Sequence, residues 1–341
     1  MDFSFSDDQV LLRDSARAML AKECPPGLVR AHIDDPTAAA PLWSLLKDFA
    51  ALGDGPCTDL CLFVDETGYV AAPGVFFPTT AMFAPLLAAL DHELLGDVLA
   101  GDVTGTVAVA GADGHHMLNN EPVKTFVPEA DRVDWIAVVD GHTDGATVRL
   151  VPAAEVPVRQ TRMVDFSRRF FEVDATRVDA TARTLDREVH RSLTARATVA
   201  LAAEMVGTSR RLLEMTIAYA KERIQFDVPI GSFQAIQHRL AECSLAVERA
   251  TAATQYASMT LDADAEEMSS ADERHRAVHV AKAAAGTAAT RSAKDSIQVH
   301  GGIGYTWEHD LHLYLRRAVG SEHWLGTTPW HHDRLAELIF D

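Results

Sequence analysis

The sequence predicts an α+β protein with an N-terminal helical domain at residues 1–102, a small central β domain at 103–180 and a C-terminal helical bundle at 181–341. Two observations predict this order. Apolar residues recur with helical periodicity at both ends of the chain, whereas short β-favouring runs occupy the middle. A length of 341 residues with 48% hydrophobic residues suffices for two or three domains that each bury a core.

Three amphipathic stretches separated by prolines predict the N-terminal domain. Ser6 is the expected N-cap of the first helix. The apolar positions of the first two stretches are Val10, Leu11, Met19 and Leu20, followed by Leu42, Leu45, Leu46 and Phe49. The third stretch is the apolar run 82–90. We therefore expect several short helices rather than one long one.

The central domain is predicted from four runs rich in β-branched and aromatic residues, at 106–109, 135–139, 147–151 and 170–173. Three Asp-Gly pairs, at 113–114, 140–141 and 144–145, are expected to form turns between strands. After about residue 185 the helical pattern returns. An alanine-rich helix is predicted at 271–299, and Pro329 is expected to open the last helix.

Charge and composition exclude several classes of protein. The chain has 31 Lys and Arg against 49 Asp and Glu, a net charge of −18, and no basic run that would bind nucleic acid or an anionic membrane. No window of about 18 apolar residues is present, and the N-terminus lacks signal-peptide features. We expect a cytoplasmic protein whose cysteines are reduced thiols, namely Cys24, Cys57, Cys61 and Cys243.

Two segments carry most of the functional information. The first, 223–238, reads RIQFDVPIGSFQAIQH and joins two predicted helices, the second with Ser232 as its expected N-cap. Arg223 can pair with a phosphate through two hydrogen bonds. From the spacing alone, a plain helix–helix turn with Arg223 in a surface salt bridge is the favoured alternative. The second, 298–308, reads QVHGGIGYTWE. Its glycines either let a ligand approach the backbone beside Gln298 or simply end a helix.

Together, and in this order, the two segments resemble the C-terminal domain of acyl-CoA dehydrogenases, which carries an Arg-x-x-Phe-Gly-x-Pro-Ile loop and a Gln-x-x-Gly-Gly-x-Gly segment. The N-terminal positions Phe5, Ser6, Gln9, Leu12, Arg13 and Asp14 are similar to the opening helix of that family. The resemblance covers nearly the whole chain. It implies the family's fold, an N-terminal α domain, a β domain and a C-terminal four-helix bundle.

The resemblance also implies FAD-dependent α,β-dehydrogenation of an acyl-CoA, in which a carboxylate removes the α-proton. In the family the two segments contact the ADP half of the FAD that a neighbouring subunit holds. The matching cofactor-binding positions here are Arg223, Phe226, Gln298, Gly301 and Gly302. Asp227 stands where the family usually has Gly, and its charge weakens the local positive field.

The catalytic base is missing from both positions that the resemblance assigns to it. Leu325 occupies the Glu position of the family's aromatic-Glu-Gly-Thr loop, and Ala197 occupies the alternative position on the preceding long helix. Neither side chain accepts a proton. Glu204 and Glu322 are possible substitutes, although carboxylates of this kind are more often solvated at the surface.

The flavin-ring loop of the family is also lost, since 109–114 reads VAGADG, and Trp135-Ile136 only faintly resembles the family's second ring-binding strand. The resemblance therefore implies a non-catalytic subunit of a heteromeric, α2β2 acyl-CoA dehydrogenase of the actinobacterial steroid-CoA type. Its partner is a catalytic subunit with which it shares FAD, and its substrate is an acyl-CoA. A self-sufficient homo-oligomer with another base, or a flavin-free scaffold, are the alternatives.

Histidines are dense near the C-terminus, but their spacing does not predict a metal site. No third ligand at a fixed distance accompanies the helical pair His275 and His279 or the later histidines. We therefore expect solvent-exposed or interface histidines. The later ones are His300, His309, His312, His323, His331 and His332.

Overall fold

The computed structural model describes residues 4–263 and 271–340. The N-terminal part is helical, and its α-helices are α1 (Asp7–Glu23), α2 (Pro26–Asp34), α3 (Ala40–Leu46), α4 (Cys57–Tyr69), α5 (Ala84–Ala89) and α6 (Leu95–Leu99). A π-helical turn, Pro78–Phe83, precedes α5. The prediction of Ser6 as the first N-cap is confirmed. Its hydroxyl accepts from the backbone N–H of Gln9 at 3.2 Å, and the Gln9 side chain accepts from the Ser6 N–H at 3.1 Å.

Seven strands form two small sheets in the middle of the chain. They are β1 (Gly105–Ala108), β2 (Val123–Pro128), β3 (Trp135–His142), β4 (Gly145–Pro152), β5 (Val158–Thr161), β6 (Phe170–Asp174) and β7 (Ala182–Asp186). One sheet has the order β1-β3-β4-β7 and the other β2-β6-β5. The prediction of a turn at Asp140-Gly141 is wrong, because both residues lie within β3 and the β3–β4 hairpin turns two residues later.

The C-terminal part contains five α-helices, namely α7 (Arg187–Glu222), α8 (Gln234–Asp262), α9 (Ala271–His300), α10 (Leu311–His323) and α11 (Thr328–Phe340). The predicted alanine-rich helix at 271–299 is confirmed to within one residue. Ser232 is not an N-cap, because α8 starts at Gln234 and the Ser232 hydroxyl donates instead to the carbonyl of Pro229 at 2.7 Å. Among the described residues, no helix is long and apolar enough to cross a membrane.

Glycine allows α4 and α7 to pack very closely. A Cβ atom at Gly68 would lie 2.0 Å from the carbonyl oxygen of Glu204, and one at Gly207 would lie 1.9 Å from that of Asp65. Side chains at these two positions would therefore push the helices apart. This close packing connects the N-terminal helices to the C-terminal bundle through one continuous core and places Glu204 in the interior.

Candidate functional site

The first motif segment forms a tight hairpin at the end of α7. Arg223 is the C-cap of the helix, and strands β8 (Ile224–Gln225) and β9 (Val228–Pro229) pair directly after it. The two turn residues have positive φ angles, +53° at Phe226 and +67° at Asp227. Glycine adopts this conformation most easily and Asp tolerates it, so the turn explains how Asp227 replaces the family's Gly.

The hairpin is directed outward. The Phe226 side chain is 87% exposed, and Arg223 is exposed as well. Within 4–263 and 271–340, no hydrogen bond or ion pair involves the Arg223 guanidinium. The alternative that Arg223 forms a surface salt bridge within these residues is therefore wrong. An unpaired guanidinium remains available to an external anion.

The second motif segment follows α9. Gly301 has a φ of +63°, which fits the helix-ending role that glycine often takes. Gly302 has an ordinary φ, and a Cβ there would meet nothing within 4 Å. No contact in the described chain therefore requires glycine at 302. Gln298 is exposed on the last turn of α9.

The fold brings the two segments together. The ring of Tyr219, one turn before Arg223, stacks on that of His300, with centroids 4.3 Å apart and planes at 19°. His300 directly precedes Gly301. We call five residues on either side of this stack the motif surface, namely Arg223, Phe226, Gln298, Gly301 and Gly302. Gly301 is half-buried and the other four are exposed.

A separate cavity of about 400 Å³ lies between the β domain and helices α7, α9 and α11. Leu325, which occupies the first of the two base positions, lies in the wall of this cavity. Ala197, which occupies the second base position, does not line the cavity. It packs in the core beside Thr198, which does line it. The cavity is lined by six histidines, which are His115, His116, His190, His275, His279 and His331.

Two side chains hold the loop that carries Leu325. The buried ammonium of Lys282 donates to the carbonyl of Gly326 at 2.8 Å and to that of Glu322 at 3.2 Å. Nε2 of His331 lies 3.0 Å from the carbonyl oxygen of Leu325, whose φ is +57°. The loop is therefore rigidly placed at the cavity, but it presents a leucine side chain there.

The two possible substitute bases, Glu204 and Glu322, both form structural contacts outside the cavity. Glu204 is 1% exposed and forms ion pairs with Arg168 and Arg317, the latter at 2.9 Å. Glu322 accepts from the backbone N–H of Thr328 at 2.8 Å and so caps α11. The interpretation of Glu204 as a solvated surface residue is wrong, and neither carboxylate lines the cavity. Its lining contains one carboxylate, Glu337, which pairs with Arg334.

The expectation of solvent-exposed or interface histidines is wrong for four residues, because His275, His300, His312 and His331 are buried within the chain itself. Burial lowers the pKa of His279 to about 4 and that of His331 to about 2. Among residues 4–263 and 271–340, no group of three or more His, Cys, Asp or Glu side chains is arranged to hold a metal ion. The four cysteines are buried and unpaired by disulfides.

The segment 109–114, which lacks the family's flavin-ring pattern, contains a turn closed by a 3.0 Å bond from the Gly114 N–H to the Gly111 carbonyl. The next two residues, His115 and His116, enter the cavity wall. Sequence reasoning missed these histidines and His331 as site residues. The sequence did contain one signal for this cluster. His275 and His279 are four residues apart on a predicted helix, so they lie on the same face of it.

Comparison with known proteins decides the family. The sequence model described as acyl-CoA dehydrogenase, C-terminal domain, matches residues 188–340. The acyl-CoA dehydrogenase IpdE2 of Mycolicibacterium smegmatis is 30% identical to this chain, over 98% of this chain and 100% of its own length. The chain belongs to the acyl-CoA dehydrogenase family.

Solved structures confirm the acyl-CoA dehydrogenase fold. The structure of the ChsE4-ChsE5 complex from Mycobacterium tuberculosis matches with a TM-score of 0.86 and 24% identity over 99% of both chains. A variant of the Tcur3481-Tcur3483 steroid ACAD matches with a TM-score of 0.85 and 25% identity over 98% of both chains. The predicted α+β architecture is thus that of the acyl-CoA dehydrogenase family.

Proposed function

We propose that this chain is a non-catalytic subunit of a heteromeric FAD-dependent acyl-CoA dehydrogenase and that its motif surface contacts the ADP half of the partner's FAD. One contrast supports this role. The Arg223 guanidinium has no partner among the described residues, whereas the base position carries Leu325, 4% exposed in the cavity wall. The chain thus offers a group that binds a phosphate but lacks the carboxylate that starts the reaction.

The motif surface fits a diphosphate in chemical terms. A guanidinium forms paired, charge-assisted hydrogen bonds to phosphate oxygens. The open space at Gly302 lets a nucleotide approach the backbone, and the exposed amide of Gln298 supplies a donor and an acceptor. FAD is the cofactor that membership of the family suggests, and it supplies the hydride acceptor when bound.

The chemical step is assigned to the partner subunit. Removal of an α-proton needs a titratable group within hydrogen-bond reach. Glu204 and Glu322 are both held in structural bonds away from the cavity. The ChsE4-ChsE5 and Tcur3481-Tcur3483 assemblies support a second, related chain as the partner. We propose an α2β2 assembly that acts on a bulky acyl-CoA, such as one with a steroid side chain.

Removal of the Arg223 guanidinium tests the contact. In the assembly purified with its partner, Arg223→Ala should lower FAD affinity by about 10- to 150-fold, the equivalent of the roughly 1.5–3 kcal/mol typical of a charge-assisted hydrogen bond. Arg162→Ala is the matched control, because Arg162 is also exposed but lies in the β domain. FAD retention equal to that of the control would contradict the proposed role. A yellow, active chain without partner would favour the homo-oligomer, and absence of flavin throughout would favour the scaffold.

A further inference from the structure

Two histidines from different helices form a hydrogen-bonded pair in the cavity wall. Nδ1 of His279, on α9, lies 2.8 Å from Nδ1 of His331, on α11. On its other side, Nε2 of His331 lies 3.0 Å from the carbonyl oxygen of Leu325. The carbonyl, His331 and His279 therefore form one chain of hydrogen bonds that ends at the cavity.

The donor and acceptor chemistry of this series of hydrogen bonds determines which ring nitrogens carry hydrogen. A carbonyl oxygen only accepts, so Nε2 of His331 must carry the hydrogen. His331 is neutral because burial lowers its pKa to about 2, and its Nδ1 is therefore an acceptor. Nδ1 of His279 must then donate to it. Since His279 is also neutral at pH 7, with a pKa of about 4, its Nε2 carries no hydrogen.

The free Nε2 of His279 has no hydrogen-bond partner in the part of the chain that the structure describes. His279 is only partly buried and lines the cavity. The bound His331 keeps the ring from rotating, so this lone pair is a fixed acceptor. A group that donates a hydrogen bond would satisfy it.

The rest of the wall restricts what that group can be. Arg187, Arg191 and Arg334 line the cavity, against one carboxylate, so a cationic donor such as an ammonium is repelled. Met117, Val278 and Leu338 provide apolar surface, in a volume of about 400 Å³. This size and polarity suit a small molecule with a mostly apolar body and few polar groups.

We propose that this cavity binds a largely apolar molecule with a hydroxyl group, and that the hydroxyl donates its hydrogen to Nε2 of His279. The assignment rests on the cavity and the histidine pair, and it does not depend on how FAD is shared. It gives the cavity a binding role in a chain whose Leu325 occupies the base position. His279 then favours ligands that donate a hydrogen bond over ligands that only accept one.

A pair of probes with the same carbon skeleton tests the direction of the bond. Decahydro-2-naphthol donates and accepts a hydrogen bond, whereas 2-decalone only accepts. Calorimetry on the full chain, in the assembly in which it is purified, should show about tenfold tighter binding of the alcohol, because the ketone would place one acceptor against another. His279→Phe should abolish the preference. His332→Phe, which changes an exposed histidine outside the cavity lining, should retain it.

The hydrogen positions are tested without a variant. Long-range proton–nitrogen NMR spectra of the ¹⁵N-histidine-labelled wild-type protein should show hydrogen on Nδ1 of His279 and on Nε2 of His331. A hydrogen on Nε2 of His279 would overturn the proposal. Equal affinity for the two probes, preference for the ketone, or binding of neither would also overturn it. Flavin content, measured on the same samples, reports separately on the motif surface.

Discussion

The ring of Tyr219 stacks on the ring of His300, with the two ring centroids 4.3 Å apart. This contact connects the end of α7, just before the first motif segment, to the second motif segment. Four residues after Tyr219 the chain reaches Arg223, and one residue after His300 it reaches Gly301. The stack lies at the base of the motif surface. Its geometry therefore fixes where the end of α7 lies relative to the end of α9.

Loss of this stack should weaken both folding and flavin binding. Tyr219→Ala is expected to lower the free energy of unfolding by about 1–3 kcal/mol, because an aromatic pair and part of a buried side chain are lost. It should also reduce FAD retention in the assembly, since the two segments are no longer held together. Denaturant titration and flavin absorbance measure the two effects.

Tyr219→Phe is the matched variant for the stack. It keeps the ring and removes only a hydroxyl whose oxygen lies 3.5 Å from the His300 carbonyl oxygen. The free energy of unfolding and the FAD retention of this variant should both stay near wild-type values. If Phe at 219 released flavin as readily as Ala does, the hydroxyl and not the stack would organise the motif surface.

Restoring a carboxylate at the base position should not restore catalysis. Leu325→Glu places a carboxyl in the cavity wall, but the segment 109–114 lacks the family's flavin-ring pattern. We therefore expect no acyl-CoA turnover from this chain purified alone. Leu325→Gln, similar in size and uncharged, controls for the change in packing. Flavin-dependent turnover by the Glu variant, absent from the Gln variant, would show that the cleft is catalytically complete apart from its base.

Buried neutral histidines should make the protein sensitive to acid. Burial lowers the pKa of His116 to about 3, whereas in the unfolded chain it is about 6.5. Below about pH 6.5 the unfolded state therefore binds a proton at this histidine, whereas the folded state does not. The free energy of unfolding falls as the pH drops through this range. From about pH 7.5 to about pH 5 this one residue should remove about 2 kcal/mol from the free energy of unfolding.

His116→Gln isolates that contribution. Glutamine does not titrate and can still accept from the indole N–H of Trp324, which lies 3.3 Å from Nε2 of His116. Denaturant titrations at both pH values should show a smaller loss of stability in the variant, by about 2 kcal/mol. Identical pH dependence in the two proteins would mean that the pKa of His116 is nearly the same in the folded and unfolded states, which would contradict the prediction.

The sequence predicts local features of this fold well. The N-cap at Ser6 and helix α9 depend on residues close together in the chain, and both predictions are confirmed. Strands β2, β5 and β7 were not predicted. Of these, β5 and β7 are the most exposed and lack alternating apolar residues. Edge strands of this kind have little periodicity for a sequence pattern to reveal.

Long-range contacts account for the features of the candidate site that the sequence did not predict. Glu204 is buried because Arg317, 113 residues later, and Arg168 neutralise it. Likewise, His279 and His331 are 52 residues apart, and only the packing of α11 on α9 brings them together. The motif residues and Leu325, in contrast, could be named from sequence because their pattern resembles a family.

The ratio of FAD to polypeptide in the purified assembly tests the central claim most directly. Co-purification with the partner, quantitative amino-acid analysis of both chains and flavin absorbance after denaturation give this ratio. The proposed role predicts one FAD for every two chains, one of each kind, and no flavin on this chain alone. One FAD per chain, or a flavin-loaded assembly of this chain without a partner, would contradict it.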